Sequence, residues 1–143
     1  MSASQRTKGQ AGEREVAHIL SVALGCEVSR NWSEQFFGGS YDLKGVDGWA
    51  VEVKRAKREH IPEWWRQTLK QAKKGGLKPA LLFRVDGCGR GLDPDEKWQA
   101  MIPLNTGVEI PDKELPVRMS LRAWIYILAK TSRYEKGEAA IPL

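Results

Sequence analysis

The segment DLKGVDGWAVEVKR, residues 42–55, constrains this chain most, because it predicts a hairpin with charged groups on one face. Residues 41–45 and 49–55 alternate apolar and polar side chains, which is typical of β-strands. Gly45 and Gly48 bracket the turn between the two strands, where glycine tolerates backbone angles that other residues avoid. The rest of the fold must therefore be built around an antiparallel pair at this point in the chain.

The predicted register of this hairpin brings two carboxylates together. If Lys44 pairs with Ala50, Asp42 lies across from Glu52, with Cβ atoms about 5 Å apart. Facing carboxylates repel unless a cation lies between them, and Mg²⁺ prefers carboxylate, phosphate and water oxygens. Lys54 follows Glu52 on the same face, about 7 Å along the strand, where an ammonium group could orient or help to deprotonate an attacking water. The alternative is a solvent-facing ladder of salt bridges among the same side chains.

A glutamate on the first predicted helix strengthens the metal-site hypothesis. Residues 9–24 carry apolar side chains at helical spacing, and Gly25 ends the pattern. Glu13 heads this apolar stripe, so its carboxylate is predicted to point inward and to reach Asp42 and Glu52 as a third acid. The alternative is that Glu13 only offers a favourable charge to the first turn of the helix.

A second predicted helix, from Pro62 to about Lys74, is strongly basic. The surrounding segment, residues 54–78, contains nine basic and two acidic residues and carries a net charge of +7, whereas the whole chain carries +5. Such a patch predicts a polyanionic partner, with a solvated lysine-rich face as the alternative. Helical spacing predicts a core face of Trp65, Leu69 and Ala72, a phosphate-binding face of Arg66, Lys70 and Lys73, and a site-facing or merely exposed face of Trp64, Gln67 and Gln71.

The remaining elements predict an α/β or α+β fold with a mixed sheet. The predicted order is helix, three strands, helix, strand and a small extension, which suits a single domain of residues 1–143 with its core at about 6–85 and its extension at about 86–143. Further strands are predicted at 26–31, 79–85 and 97–104, and a last helix at 121–130 with Ser120 as its N-cap and a frayed tail from Thr131.

Composition argues against several classes of protein. Cys26 and Cys88 form no CxxC pair and lie near no histidine cluster, so we expect neither a zinc site nor a disulfide framework, and we expect a reducing cytoplasmic location. Apolar runs stay well below the roughly 18 residues that a membrane helix needs, and the first residues are polar. We therefore expect neither a membrane span nor a signal peptide.

Three features of the chain together resemble the PD-(D/E)XK nuclease superfamily, and more narrowly the archaeal-type Holliday-junction resolvases and their phage relatives. They are the opening KGQAGERE at residues 8–15, Asp42 before a short hairpin, and Glu52-Val53-Lys54 on the next strand. The resemblance covers about residues 6–85, and Tyr41 replaces the proline that names the superfamily. It implies a restriction-endonuclease-like core, which is a central mixed β-sheet flanked by helices.

The resemblance also implies Mg²⁺-dependent hydrolysis of a DNA phosphodiester, with Mn²⁺ as a substitute, leaving 5′-phosphate and 3′-hydroxyl ends. It implies a homodimer that acts on branched or duplex DNA without a small-molecule cofactor. The implied metal ligands are Glu13, directly or through water, Asp42, Glu52 and the Val53 carbonyl. The other implied catalytic residues are Lys54, Ser40 and Gln71, with Gln67 as a rival to Gln71. The resemblance assigns Arg6 and Lys8 to backbone phosphates, and the basic surface predicted to hold DNA adds Arg55, Lys57, Arg58, Arg66, Lys70 and Lys73, with Trp32 and Trp64.

Several functions remain open at this point. The leading hypothesis is a junction resolvase, but the same site chemistry suits a nuclease that cuts linear duplex DNA, because substrate choice lies in loops and dimer geometry. A DNA-binding module that kept the fold without cleavage is the second class. An RNA-binding or RNA-cutting protein ranks last, because no strand pair carries the aromatic pattern of common RNA-binding sheets.

Overall fold

The computed structural model describes residues 2–31, 41–104 and 115–135. Its elements in chain order are α1 (Ala3–Leu24), β1 (Ser29–Arg30), β2 (Leu43–Lys44), β3 (Trp49–Ala56), α2 (Ile61–Gly75), β4 (Lys78–Val85), α3 (Pro94–Lys97), β5 (Gln99–Pro103), β6 (Pro116–Ser120) and α4 (Leu121–Glu135). None of the helices within these ranges has the length and apolar character needed to cross a membrane.

One six-stranded sheet organises the described residues, with its strands in the order β1 to β6. Strands β3 and β4 run parallel, and the other neighbouring pairs are antiparallel. A parallel pair needs a long crossover, which α2 provides here. The predicted fold class, a mixed sheet flanked by helices, is therefore confirmed.

The sheet has a core on each face. On one face, apolar residues of α1 and α4 pack against residues such as Val51, Val53 and Leu82. On the other face, Trp64 and Trp65 of α2 lead a smaller cluster. Alternation along β4 shows the division, because Leu82 belongs to the first cluster and Leu81 and Phe83 to the second, and successive side chains point to opposite faces of a strand.

The hairpin register is confirmed. Leu43 pairs with Val51, so Asp42 lies across from Glu52 as predicted. Gly45 has a φ of +107°, and a Cβ atom at this position would lie 2.2 Å from the Glu27 carbonyl oxygen. Only glycine therefore fits the turn that sets this register.

The elements differ from the sequence predictions most clearly at α1, β6 and α4. Helix α1 begins at Ala3 rather than at residue 9, because Ser2 and Gln5 form a capping box before it. Strand β6 was not predicted, because its first residue, Pro116, suggested a break in the chain. Proline is tolerated at this position because it is the first residue of a strand at the edge of the sheet that the described residues form. Helix α4 continues past the predicted end to Glu135, while its predicted N-cap is confirmed by the Ser120 Oγ, which accepts a bond from the Ala123 N–H at 3.1 Å.

The predicted core face of α2 needs a correction. Trp65 and Ala72 are buried as predicted, but Trp64 is also buried at 7% exposure, whereas Leu69 is only half-buried. Thr68 lies between them with no exposure, and its hydroxyl donates to the Trp64 carbonyl at 2.7 Å. The buried stripe of α2 is thus wider and rotated relative to the stripe that helical spacing alone predicts.

The C-terminal third of the chain contributes to the core beneath α1. Trp98 and Trp124 have no exposed surface, and both belong to the cluster that contains Val16 and Leu20 of α1. A Cβ atom on Gly12 would lie 3.1 Å from the Trp98 ring, so this glycine lets α1 lie close against the tryptophan. The Trp98 indole N–H also donates to Glu15 of α1 at 3.0 Å.

We expect Trp98→Ala to lower the free energy of unfolding by about 3–5 kcal/mol, because it leaves a large cavity under α1. Chemical denaturation followed by fluorescence or circular dichroism measures this change. The matched control is Tyr126→Ala, an aromatic truncation at a position that is 57% exposed, which should change stability by less than about 0.5 kcal/mol. Equal effects of the two substitutions would contradict this account of the core.

Candidate active site

A cleft of about 1190 Å³ lies between the N-terminal half of α1 and the end of β3, and it continues to the start of α2. Seven cationic side chains line it, against three acidic ones. The cations are Arg6, Lys8, Arg30, Lys54, Arg55, Lys57 and Arg58, and the acids are Glu13, Asp42 and Glu63. The cleft is therefore electropositive, which suits a polyanion such as a nucleic-acid backbone.

Glu52 is a buried carboxyl group beside this cleft. It is 1% exposed, and its Oε1 atom has no hydrogen-bond partner among the described residues. The pKa of Glu52 is raised from its usual 4.5 to about 9, chiefly by burial and then by the charge and hydrogen bond of Asp42, whereas the charge of Lys54 lowers it. Asp42 and Glu52 thus share a position that favours a proton or a cation between them.

Asp42 is held firmly in this position. Its Oδ2 atom accepts the Val53 N–H at 2.7 Å, and its backbone N–H donates to the Val51 carbonyl at 2.8 Å. Its own carbonyl accepts the Asn31 N–H at 2.8 Å. Strand pairing on both sides therefore fixes the carboxylate at the cleft wall before any ligand binds.

Glu13 reaches the same cleft from α1, but as one member of an ion pair. Arg30 of β1 donates from Nε to the Glu13 Oε2 at 2.6 Å, and both side chains are 13% exposed. The charge of Glu13 still contributes to the raised pKa of Glu52, as the weakest of the named causes. The charge of Glu13 therefore acts on the Asp42–Glu52 site, although the Glu13 carboxylate is bonded to Arg30.

The donor atoms at this site fit a divalent cation. Glu52 offers a buried oxygen without a partner, and Asp42 offers a second carboxylate beside it. Carboxylate and carbonyl oxygens are the ligands of hard cations such as Mg²⁺, and a positive ion would relieve the repulsion between these two acids. The observations therefore suit a metal between Asp42 and Glu52.

A different acidic group has the tighter geometry. Within residues 2–31, 41–104 and 115–135, the one acidic group whose ligand atoms all lie within 4.8 Å of one another is Asp93, Asp95 and Glu96. Arg122 pairs with all three of these carboxylates, at 2.9 to 3.1 Å. All three carboxylates are therefore already bonded to one guanidinium, and these bonds join the start of α4 to α3.

The structure brings together most, but not all, of the predicted site residues. Glu13, Asp42, Val53 and Lys54 line the cleft together with Arg6, Lys8, Arg55, Lys57 and Arg58, and Glu52 lies buried behind them. Arg66, Lys70 and Lys73 are exposed on α2 and are not among the cleft residues. Ser40 and Trp32 lie outside the described residues.

The two glutamines of α2 differ in their surroundings. Gln67 is exposed, whereas Gln71 is half-buried and its Oε1 atom is buried without a partner among the described residues. Burial of an unpaired amide oxygen is costly unless a ligand or water satisfies it. Of the two glutamines, Gln71 is therefore the one whose amide oxygen faces the protein interior, and it is the better candidate for a role in the site.

Sequence reasoning missed several residues of this site. Arg30 was not recognised, because a two-residue strand carries too little pattern to give its register. His60 and Glu63 also line the cleft at the start of α2, where Pro62 had signalled only the beginning of a helix. Asp86 contacts two of the cleft cations from the far end of β4, a contact that no local spacing could reveal.

Comparison with known proteins identifies the family. Residues 4–136 match the family described as "Phage putative PDDEXK endonuclease". The chain is 30% identical over 108 residues to Protein D14 of Escherichia phage T5, a match that covers 60% of this chain and 68% of that protein. Among solved structures it is similar to Hjc, a Holliday junction resolvase from Archaeoglobus fulgidus, with 17% identity and a TM-score of 0.43 over 94% of this chain and 99% of that one. With nearly its whole length matched by the first of these comparisons, the chain belongs to the phage PD-(D/E)XK endonuclease family.

Proposed function

We propose that this endonuclease is Mg²⁺-dependent and structure-selective, and that it resolves four-way DNA junctions by paired hydrolysis that leaves 5′-phosphate and 3′-hydroxyl ends. The observation that carries the metal-dependent part is the unpartnered carboxyl oxygen of Glu52, buried beside Asp42 at the wall of a basic cleft. The opening KGQAGERE, which resembles the resolvases, supports the choice of a junction as substrate.

The residues of the site have distinct roles in this proposal. Asp42, Glu52 and the Val53 carbonyl would hold the metal, with Glu13 acting through water because Arg30 engages its carboxylate. When bound, the metal supplies positive charge for the scissile phosphate and acidity for a coordinated water. Lys54, which lines the cleft, would orient the attacking water and stabilise negative charge that develops on the phosphate.

Two further residues complete the proposed catalytic group. The unpartnered amide oxygen of Gln71 would accept a hydrogen bond from Lys54 or from water once the site is filled. Ser40 would lie near the scissile phosphate, as the resemblance implies. Junction cleavage by the variants Gln71→Ala and Ser40→Ala, compared with the wild type, tests the two roles.

The basic wall of the cleft supports binding of the DNA backbone. Arginine and lysine contacts to phosphates fix the position of a duplex but carry no sequence information. A junction has two equivalent cleavage points related by two-fold symmetry, so we propose that a homodimer acts on it. Each chain of this dimer would form a single domain of residues 1–143. We propose that the enzyme acts in a reducing cytoplasm.

The test is cleavage of three labelled DNAs of matched sequence: an immobile four-way junction, a linear duplex and a single strand. We expect paired symmetric nicks in the junction with Mg²⁺ or Mn²⁺, no cleavage in EDTA, and binding without cleavage in Ca²⁺, which tolerates looser geometry. Light scattering of the free protein tests the dimer. Equal cutting of the duplex would show that the enzyme acts on duplex DNA in general rather than on junctions. Cleavage in EDTA would overturn the metal requirement. Binding without cleavage in every metal would point to a non-catalytic DNA-binding module.

The exposed basic face of α2 gives a separate prediction. We expect Lys70→Glu with Lys73→Glu to weaken junction binding most at low salt and to make the salt dependence of the binding constant shallower, because fewer phosphates are neutralised. Fluorescence anisotropy across a range of salt concentrations measures both effects.

The matched control for this pair is Lys78→Glu with Lys130→Glu. These two residues lie at the start of β4 and on α4, and they carry the same change of charge. An effect of the control as large as that of the α2 pair would assign the loss to net charge rather than to contacts along α2.

A further inference from the structure

Asp86 lies where β3 and β4 end side by side at the cleft. Its backbone N–H donates to the Ala56 carbonyl at 2.9 Å, which fixes it beside the last residue of β3. Its Oδ1 accepts from Arg55 Nε at 3.3 Å, and its Oδ2 accepts from Lys8 Nζ. Each oxygen of this one carboxylate therefore bonds a different cation, one from β3 and one from α1.

Both cations also line the cleft beside the candidate metal ligands. Lys8, Arg55 and Asp86 have side chains that are 30%, 27% and 29% exposed, so solvent and a ligand reach all three. A phosphodiester presents two unesterified oxygens that share one negative charge, which is the same pattern of acceptors that Asp86 offers. The hydrogen bond from Lys8 lowers the pKa of Asp86, so the carboxylate stays ionised at neutral pH and competes as an anion.

We propose that Asp86 occupies a backbone-phosphate position formed by Lys8 and Arg55, and that a DNA phosphate replaces it there when the cleft fills. Asp86 is then a positioning residue: it orients two flexible cations in the free protein and lowers their affinity for DNA. This inference rests on the proposed DNA-cutting function and deepens it, since it assigns the chemistry of one subsite. Weaker holding of the backbone at this subsite would also favour release of the cut strands.

The test compares Asp86→Asn with Asp47→Asn by fluorescence anisotropy on labelled duplex and junction DNA in EDTA, so that no cleavage occurs. Asp47 is an exposed acid in the β2–β3 turn, at the opposite end of β3 from the cleft, and its change of charge is identical. For Asp86→Asn we expect about three- to tenfold tighter binding near 0.1 M salt and a salt dependence steeper by about 0.9 in log–log slope. Asp47→Asn should change neither by more than about a third of that, because exposed charges more than about 10 Å apart are screened.

Two more variants distinguish competition from a purely structural role. Asp86→Glu keeps the charge and should restore the wild-type salt slope. Lys8→Gln should cost more affinity in the Asp86→Asn background than in the wild type, because Lys8 no longer has to leave a carboxylate in order to bind phosphate. Thermal denaturation of each variant verifies that it is folded.

The outcomes separate the inference from the function on which it rests. Tighter binding with the steeper slope, confined to Asp86→Asn, supports the subsite. Weaker binding by folded Asp86→Asn, an unchanged slope, or equal effects of Asp86→Asn and Asp47→Asn would each overturn the subsite while leaving DNA binding intact. Failure of the wild-type protein to bind any DNA in either EDTA or Ca²⁺ would overturn the proposed function, and this inference with it.

Discussion

Asp42→Asn is expected to reduce Mg²⁺-dependent cleavage about a thousandfold or more while leaving DNA binding in Ca²⁺ within about threefold of the wild type. The side-chain oxygen of asparagine can still accept the Val53 N–H, so the hairpin register should survive. The substitution removes the negative charge of Asp42, which lies beside the protonated Glu52 and attracts a divalent cation to the site. Single-turnover cleavage of the junction, measured beside binding by anisotropy, separates the two effects.

Asp47→Asn is the matched control for this substitution, because it makes the same chemical change in the adjoining turn, at an exposed position. It should cleave at the wild-type rate. Cleavage by Asp42→Asn within about tenfold of the wild type would show that Asp42 does not contribute a metal ligand, and the assignment of the site would have to move.

Glu52→Gln is expected to abolish cleavage and yet to stabilise the metal-free protein at neutral and alkaline pH. The folded pKa of Glu52 is raised to about 9 from 4.5, so the folded state holds a proton that the unfolded state has lost. The favourable contribution of this group is complete below pH 4.5 and is lost as pH rises towards 9. Glutamine stays neutral at every pH. Between pH 4.5 and about 9, the free energy of unfolding of the variant should therefore increase relative to that of the wild type by up to about 1.4 kcal/mol per pH unit.

Thermal denaturation in EDTA at pH 5, 6, 7 and 8 measures this divergence. Added Ca²⁺ should raise the melting temperature of the wild type more than that of Glu52→Gln, because binding to the folded state alone stabilises it. Glu63→Gln is the control, since Glu63 also lines the cleft but is exposed. Parallel pH profiles for wild type and Glu52→Gln would contradict the raised pKa, and equal stabilisation by Ca²⁺ would contradict a metal bound at Glu52.

The parts of the site that sequence reasoning predicted are those that local pattern determines. Two alternating strands and a turn that only glycine can make determine the hairpin register, and the register places Asp42 opposite Glu52. The bounds of α2 followed in the same way, since Pro62 lies at its start and Gly76 adopts the left-handed conformation that ends it. The alternation of the two strands and the helix end each depend on residues within a few positions in the chain.

The parts that were missed depend on contacts between distant residues. The rotation of α2 that buries Trp64 is set by how the helix lies on Phe83 and its neighbours in β4, which helical spacing cannot give. The ion pair of Glu13 with Arg30 joins α1 to a two-residue strand, and Asp86 joins α1 to the end of β4. Such pairings appear only when the sheet is assembled, so single-sequence patterns carry no signal for them.

The close approach of Gly12 to Trp98 has a consequence for synthesis of the chain. The helix that carries Glu13 is made before Trp98, the tryptophan against which it lies, which follows Gly12 by 86 residues. During translation, the cleft residues of α1 therefore cannot reach their final positions until Trp98 has been made. The protein should thus acquire the final geometry of its cleft only after the segment that carries Trp98 has been made, so we expect a nascent chain that lacks this segment to have no nuclease activity.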